Sequence, residues 1–358
     1  MDTTRMRSVS VSMGVFLVLR GRSEGRDRAG AGAGMPRDEA GGKKVYVRMM
    51  IDTPEKGTTV APGGSAVLAR RRHYGEFYGL DPLPDDFGVI LGNCQAESVR
   101  LVVDSPEHRF VRVPPVHEMT DADAERLHVL VGAARTVVTQ PIRDDYRDLP
   151  LGTRQIAAAT DARVVTVPPV RFAGLHPFQA AIRVPSVEGD PPTVAYHDIR
   201  TLAAAAGIRV VPSLAPESVR AVGRASVDVL RTREAVTDVP VSDLFDAVTA
   251  DHARTVNHPG NAIWLPLGAR VLEVLGIPGG PVDPERPLLD SVQAPLAAEV
   301  VEAWSLPDAP RAHWIVDGVE IDPADVRAAH SAWYAEHPEF VTAALDRLAP
   351  LLAVWRDG

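Results

Sequence analysis

The sequence predicts a helix-rich α/β fold. It has a small parallel sheet with a strand-turn-helix unit at its core, and its C-terminal half is mainly helical. Three observations indicate this fold. Short apolar runs before residue 168 lack alternation, which is typical of strands buried on both faces. Segments with helical spacing separate these runs, and strands that alternate with helices pair in parallel. From about residue 196, long stretches with helical spacing replace the strands.

The first element is a leader over residues 1–43, which are rich in Gly, Arg and Ala, and we expect it to be disordered. Residues 9–19 within it form an apolar run as long as the core of a signal peptide. Arginines follow that run where a cleavage site needs small residues. A disordered leader, or a chain that starts at Met35 or Met49, therefore fits this segment better than a signal peptide.

A lead-in segment over residues 44–85 and a main domain over residues 86–285 are expected next. The lead-in contains a possible strand at 45–47. In the main domain, strands are predicted at 89–91, 136–139 and 163–167, and helices at 95–103 and after the N-cap residue Thr120. Ligands bind beyond the carboxyl ends of parallel strands, and the segment after each of these strands is polar. The three segments are therefore expected to form one rim.

The helical half is predicted to contain helices at 198–206, 213–236, 241–253 and 261–275. Gly207 and Gly276 end two of them, as C-cap glycines do. Residues 286–358 are expected to form a helical extension packed on the domain, with two helices between 323 and 355. The expected core positions of this extension are Trp333, Tyr334, Phe340, Leu345 and Leu348. Three histidines on helical stretches are predicted to lie at the surface: His252, His330 and His337.

The composition limits the class of protein. Apolar residues make up 45% and charged residues 24%, as in soluble globular proteins. A net charge of −9 argues against a nucleic-acid partner, although local arginines can still hold an anionic small ligand. No apolar run reaches the roughly 18–20 residues of a membrane span. Cys94 is the single cysteine, which excludes an intrachain disulfide and favours a reducing, cytoplasmic location.

Cys94 is the candidate nucleophile, because it follows Gly92 and Asn93 at the predicted turn from a strand into a helix. A side chain at such a bend is exposed, and the first N–H groups of the helix can receive an oxyanion. The helix N-terminus is also expected to lower the thiol pKa. The side chain of Asn93, or N–H groups near Gln95, would complete the oxyanion hole. The alternative is a buried, inert cysteine.

A cysteine nucleophile usually works with a histidine that is close in space. His258, beside Asn257 in a turn before a helix, and His176, at a predicted strand end, are the candidates; for either one, a structural role is the alternative. No P-loop, dinucleotide fingerprint or His-Glu-x-x-His motif occurs, and no metal is expected.

Two polar clusters are further candidates. Residues 140–147 follow a strand, and there Gln140 could orient a carbonyl while Arg143, near Tyr146, could pair with a phosphate; a solvated loop is the alternative. In the second cluster, Arg233 could form an ion pair with Glu234 or line a ligand site.

Four motifs taken in order resemble the WcbI family of polysaccharide-biosynthesis enzymes, over about residues 87–277. They are Gly92-Asn93-Cys94-Gln95, Gln140-Pro141-Ile142, residues 230–234 and Asn257-His258-Pro259. The resemblance implies a coenzyme A-binding site and an acetyl- or acyltransferase role in making capsular or other surface polysaccharides. It places Cys94 and its neighbours, with Asn257 and His258, in that site.

The turn at Cys94 is also similar to the Gly-Asp-Ser element of the SGNH esterases, so an SGNH- or Rossmann-like core is implied. Those enzymes place an Asp three residues before the catalytic His, where this chain has Thr255. We expect an acyltransferase that uses acyl-coenzyme A and a sugar hydroxyl, with Cys94 as covalent relay or thiol-site residue and His258 as general base. The alternatives are a thioesterase or carbohydrate esterase, or a non-catalytic component that binds sugars or nucleotides.

Overall fold

A computed structural model describes residues 15–19, 45–49, 64–184, 186–187 and 189–356. The strands are β1 (Val15–Leu19), β2 (Val45–Met49), β3 (Phe87–Leu91), β4 (Arg109–Val111), β5 (Thr136–Thr139), β6 (Arg163–Thr166), β7 (Gln179–Ala180), β8 (His197–Asp198), β9 (Val292–Gln293), β10 (Trp314–Val316) and β11 (Val319–Ile321). The α-helices are α1 (Gly64–His73), α2 (Gly75–Tyr78), α3 (Cys94–Val103), α4 (Asp121–Ala133), α5 (Thr153–Ala158), α6 (Ile199–Ala205), α7 (Pro216–Glu234), α8 (Asn261–Leu275), α9 (Ala298–Trp304), α10 (Pro323–Glu336) and α11 (Pro338–Arg356).

The central sheet has four parallel strands in the order β4-β3-β5-β6. Every residue of β3 is buried, as its unbroken apolar sequence Phe-Gly-Val-Ile-Leu predicts for a strand covered on both faces. The register pairs Leu91 with Thr139 and Thr139 with Thr166, so β3, β5 and β6 end side by side. The three predicted strands are confirmed, and their carboxyl ends lie at one edge of the sheet. The edge strand β4 was not predicted, because three residues carry too short a pattern.

Helices cover both faces of this sheet. Alternate strand residues therefore belong to two different hydrophobic clusters, one on each face. Val89 and Val137 pack with Leu127 of α4 on one face. Ile90 and Val138 pack in a second cluster with residues of α3 and α8 on the other face. At the start of α4 the predicted N-cap Thr120 forms a capping box with Asp123. The result is a three-layer α/β domain that agrees with the predicted fold class.

The segment over residues 241–253 departs from the prediction of a helix. It contains two short 3₁₀ turns, Ser242–Phe245 and Ala250–His252. The carboxylate of Glu234 accepts hydrogen bonds from the main-chain N–H groups of Val241 and Ser242 at the start of the first turn. Glu234 is therefore committed to this turn, and it forms no ion pair with Arg233 among the described residues. The helix at 261–275 is confirmed as α8, which ends at Gly276 with φ of 70°.

The C-terminal region contains both predicted terminal helices, α10 and α11, but it is not purely helical. An antiparallel sheet of β11-β10-β9 precedes them. Tyr334, Phe340 and Leu348 are buried in the cluster that also contains Ile90 of the central sheet. Trp333 and Leu345 pack partly buried against that cluster. The region is thus packed on the main domain, and its core positions agree with the prediction.

Two histidines that were predicted at the surface are buried. His330 is 1% exposed and its Nε2 lies 3.1 Å from the Val194 carbonyl oxygen. His252 is also buried, and its ring nitrogens contact the Thr249 N–H and the Leu244 carbonyl oxygen within residues 241–253. Helical spacing alone does not distinguish an exposed histidine from one that a later segment covers.

The N-terminal part has a strand in the expected lead-in position, β2, which pairs antiparallel with β1. The strand β1 lies within residues 1–43, where no strand was predicted; the other residues of that leader lie outside the described part. None of the described helices is both long and apolar enough to span a bilayer.

Candidate active site

The end of β3 builds the turn that presents Cys94. Asn93 is the N-cap of α3, and its Oδ1 accepts a hydrogen bond of 2.9 Å from the Gln95 N–H. Cys94 is therefore the first residue of the helix, half-buried at its N-terminus. The cap also fixes the Asn93 carboxamide, whose Nδ2 is left to donate elsewhere.

Gln140, directly beyond β5, supports this turn from the neighbouring strand. Its Oε1 accepts a 3.0 Å hydrogen bond from the Asn93 N–H. A Cβ atom at residue 92 would lie 2.5 Å from the same Oε1, so only glycine leaves room for the Gln140 side chain. The Gln140 side chain thus fills the space beside Gly92 and holds the backbone that leads into Cys94.

Gln95 joins three parts of the chain from a buried position. Its Nε2 donates to the carbonyl oxygens of Val170 (2.7 Å) and Asn257 (2.9 Å). Its Oε1 accepts from the Val170 N–H (3.0 Å) and from Gln140 Nε2 (3.1 Å). Both N–H groups and both lone pairs of the carboxamide are used. The resemblance placed Gln95 in the ligand site with Cys94, but the protein itself binds all of its side-chain polar atoms, so Gln95 supports the turn that carries Cys94.

Asn257 and the buried Tyr196 connect the His258 segment to the Cys94 turn: Asn257 binds Gln95, and Tyr196 contacts both Asn257 and His258. The Tyr196 hydroxyl donates to Asn257 Oδ1 (2.9 Å) and accepts from Thr255 Oγ1 (3.0 Å). The same hydroxyl oxygen lies 3.4 Å from His258 Nε2. Sequence reasoning missed Tyr196, because it precedes a two-residue strand with no motif around it. Thr255 carried a usable signal, since it stands three residues before the histidine.

Burial raises the pKa of the Cys94 thiol to about 11. Arg171 and the N–H groups of Cys94 and Gln95 act in the opposite direction, but their effect is smaller. The helix N-terminus thus acts in the expected direction, but the net shift is upward because burial outweighs it. Arg171 follows β6 by five residues. The rule that ligands bind beyond the carboxyl ends of parallel strands, here called the strand-end rule, could have identified it.

We predict that Cys94 reacts slowly with iodoacetamide in the folded chain. A pKa two units above the usual value of 9 leaves about 100-fold less thiolate at neutral pH. The stronger nucleophile recovers part of this loss, so the rate constant is expected to be roughly 10-fold below that of the urea-unfolded chain. Labelling of this single cysteine, followed by mass spectrometry, measures both rates. A rate that levels off below pH 8 would contradict the prediction.

His258 is neutral at physiological pH, because burial lowers its pKa to about 4. Its Nδ1 is buried and has no hydrogen-bond partner among the described residues. Thr255 stands in the place of an orienting carboxylate, and the Thr255 side chain contacts Tyr196 and Asn257 rather than the imidazole. Among the described residues, His258 therefore has no carboxylate partner of the kind found in an esterase triad.

The other predicted site residues have partners outside the hydrogen bonds described so far. His176 is fully buried, with its ring nitrogens against the Ala253 (2.9 Å) and Pro295 carbonyl oxygens, which indicates a structural role. Arg143 lies over the Tyr146 ring at 5.9 Å. Arg233 Nη1 lies 3.5 Å from the carbonyl oxygen of Pro169, next to the Val170 that Gln95 binds. Burial lowers the pKa of Arg233 to about 10, and it remains charged at neutral pH.

Acid is expected to destabilise the chain through its buried histidines. Burial lowers the pKa of His176 to about 4 and that of His197 to about 3, and it lowers the pKa of His258 as well. The unfolded chain binds protons below pH 6.5 and these folded sites do not, so stability is full above pH 6.5 and falls towards pH 4. At pH 5 the loss is about 2 kcal/mol per histidine. Urea midpoints at pH 7.5 and pH 5 measure it, and equal midpoints would refute it.

No group of three or more His, Cys, Asp or Glu side chains in the described ranges could hold a metal ion.

Comparisons with known proteins agree with the sequence motifs. A family model described as the polysaccharide biosynthesis enzyme WcbI matches residues 87–280. A solved structure of WcbI, described as the native protein without a disulfide bond between coenzyme A and one of its cysteines, has a TM-score of 0.57 and 18% sequence identity. The match covers 74% of this chain and 99% of that one, and it shows a shared fold. No curated protein sequence matches the chain.

Proposed function

Because the matched model covers more than half of its residues, the chain belongs to the WcbI family of polysaccharide biosynthesis enzymes, and we propose that it transfers an acyl group from acyl-coenzyme A to a sugar hydroxyl. The acceptor would belong to a capsular or other surface polysaccharide. The proposed catalytic residues are Cys94, His258 and Asn93, and the enzyme would act in the cytoplasm.

One observation carries this proposal: hydrogen bonds from Gln95 join the Cys94 turn to the His258 segment. Gln95 Nε2 lies 2.9 Å from the Asn257 carbonyl oxygen, so the residues after Cys94 and before His258 are in direct contact. The two segments are more than 160 residues apart in sequence. A thiol at a helix N-terminus and a neutral imidazole brought near it are the parts that acyl transfer through a thioester requires.

Coenzyme A is supported as the carrier by the structural neighbour, which is described in terms of coenzyme A and a cysteine. This chain has one cysteine, and it stands at the predicted site. Arg143 and Arg233 are proposed to contact the phosphates of the donor, because a guanidinium pairs well with phosphate. Tyr146 would support Arg143 through its ring.

In the proposed reaction, the Cys94 sulfur attacks the thioester carbon. The Sγ–C bond forms, the bond from carbon to the coenzyme A sulfur breaks, and His258 carries the Cys94 proton to the leaving sulfur. The acceptor hydroxyl then attacks the acyl-Cys94 carbonyl, and its proton passes through His258 to Sγ, which restores the thiol. Thiol and imidazole are both neutral at rest, so each proton moves as the new bond forms.

The carbonyl oxygen becomes negative in both halves of this reaction and needs donors. Asn93 Nδ2 and the Cys94 N–H at the start of α3 are proposed for this role. The Gln95 N–H is already bound by Asn93 Oδ1.

Release of free coenzyme A from acetyl-coenzyme A, with and without candidate glycans, tests the proposal. Release that depends on a glycan, with the acetyl group found on it, is the expected result. Release without any glycan would assign the same site to a hydrolase. Absence of both release and a coenzyme A-induced rise in melting temperature would favour a non-catalytic binding component.

A further inference from the structure

The residue that orients His258 can be identified from the buried hydroxyl cluster around Tyr196. Tyr196 is 3% exposed, and its ring stacks on Trp314 at 6.1 Å, so the hydroxyl is held in place. Three polar groups surround that hydroxyl: Asn257 Oδ1 at 2.9 Å, Thr255 Oγ1 at 3.0 Å and His258 Nε2 at 3.4 Å. No other polar side-chain contact to the His258 ring occurs among the described residues.

The protons in this cluster can be assigned from what each atom is able to do. A carboxamide oxygen only accepts, so the single Tyr196 proton goes to Asn257 Oδ1, its shortest contact. Thr255 Oγ1 also donates within the cluster, to Tyr196 or to Asn257 Oδ1 at 3.2 Å. The Tyr196 oxygen therefore meets His258 as an acceptor, and Nε2 is the nitrogen that carries a proton.

We propose that Tyr196 is the positioning residue of His258, and that it holds the imidazole with Nε2 protonated and Nδ1 as the proton-accepting nitrogen. Nδ1, which has no hydrogen-bond partner among the described residues, then carries the free lone pair of the ring. A carboxylate three residues before the histidine would bind Nδ1–H and leave Nε2 as the base. In this chain Thr255 occupies that position, so the orientation comes from the opposite nitrogen.

This inference rests on the proposed function only where it calls His258 a base; the tautomer is a property of the unliganded protein. Nitrogen-15 NMR of the full chain labelled at histidine measures the tautomer through couplings to the ring carbon-bound protons, and His258→Gln identifies the signal. At pH 7.5 we expect Nε2 to be protonated. In Tyr196→Phe, the two nitrogen shifts should move towards those of an exchanging mixture.

Tyr334→Phe is a matched control, because the Tyr334 hydroxyl lies 2.7 Å from His197 Nδ1 in another part of the core. It should change the His197 signals and leave those of His258 unchanged. A protonated Nδ1 in the wild-type chain, or His258 shifts that Tyr196→Phe leaves unaltered, would overturn the proposal.

Coenzyme A release from acetyl-coenzyme A in the presence of candidate glycans gives a second, independent measurement. Tyr196→Phe is expected to lower kcat roughly 10-fold with KM changed less than about 2-fold, because only the orientation of the base is lost. Tyr334→Phe should match the wild type. Full kcat in Tyr196→Phe would overturn the positioning role, whereas a wild-type chain that releases no coenzyme A would contradict the proposed function and leave the NMR result standing.

Discussion

Replacement of His258 by alanine is expected to lower glycan-dependent coenzyme A release by roughly 10²- to 10⁴-fold while the fold survives. The neutral imidazole is the group proposed to accept a proton in both halves of the reaction. Little of the Cys94 thiol is ionised at neutral pH without such an acceptor, because burial raises its pKa to about 11. The fold is expected to survive, because among the described residues the His258 ring makes one long polar contact, to Tyr196, and its Nδ1 makes none.

Cys94→Ala is expected to cause a loss of the same size, since it removes the atom that would hold the acyl group. Release assays and circular dichroism on both variants measure activity and folding together. A histidine outside the site provides the matched control: His128 Nε2 contacts the Pro150 carbonyl oxygen at 2.8 Å, and His128→Ala should retain activity. Full activity in Cys94→Ala would refute the covalent relay, and full activity in His258→Ala would refute the assigned base.

The central sheet could be predicted from sequence because its signals are local. An apolar run such as that of β3, a capping box at Thr120 and a glycine at 276 each act within a few residues. The same logic failed at residues 241–253, where two short 3₁₀ turns form and the Leu244 carbonyl oxygen lies against the His252 ring. A helical pattern does not reveal a side chain that takes a carbonyl oxygen from the helix.

The residues at the strand ends of the candidate site could be predicted from sequence, but the role of Gln95, which holds them together, could not. The strand-end rule placed Gly92, Cys94 and Gln140 at one rim, and the structure joins them by contacts at the ends of β3 and β5. The role of Gln95 could not be foreseen, because its partners Val170 and Asn257 act through main-chain atoms that leave no residue-type signal. The thiol pKa was misjudged for a similar reason: the helix N-terminus is visible in sequence, but the burial that outweighs it depends on the whole fold.

Gln95→Leu is expected to destabilise the chain by roughly 3–6 kcal/mol and to abolish activity with it. Leucine fits the volume but strands the Val170 N–H, two carbonyl oxygens and Gln140 Nε2 in the interior. Each buried group without a partner costs about 1–3 kcal/mol, and carbonyls with a second bond cost less. The melting temperature should fall by about 6–20 °C, which differential scanning calorimetry measures.

Gln179→Leu separates this effect from the general consequence of removing a buried glutamine. Gln179 is 7% exposed, and its Oε1 is buried without a hydrogen-bond partner in the described part of the chain. Its replacement therefore removes an unsatisfied group and should change stability by no more than about 1 kcal/mol, in either direction. If both variants melted within a few degrees of the wild type, Gln95 would not hold the site together. If only Gln95→Leu has a clearly lower melting temperature, the hydrogen bonds that position Cys94 also join the β3–α3 turn to the segments at Val170 and Asn257.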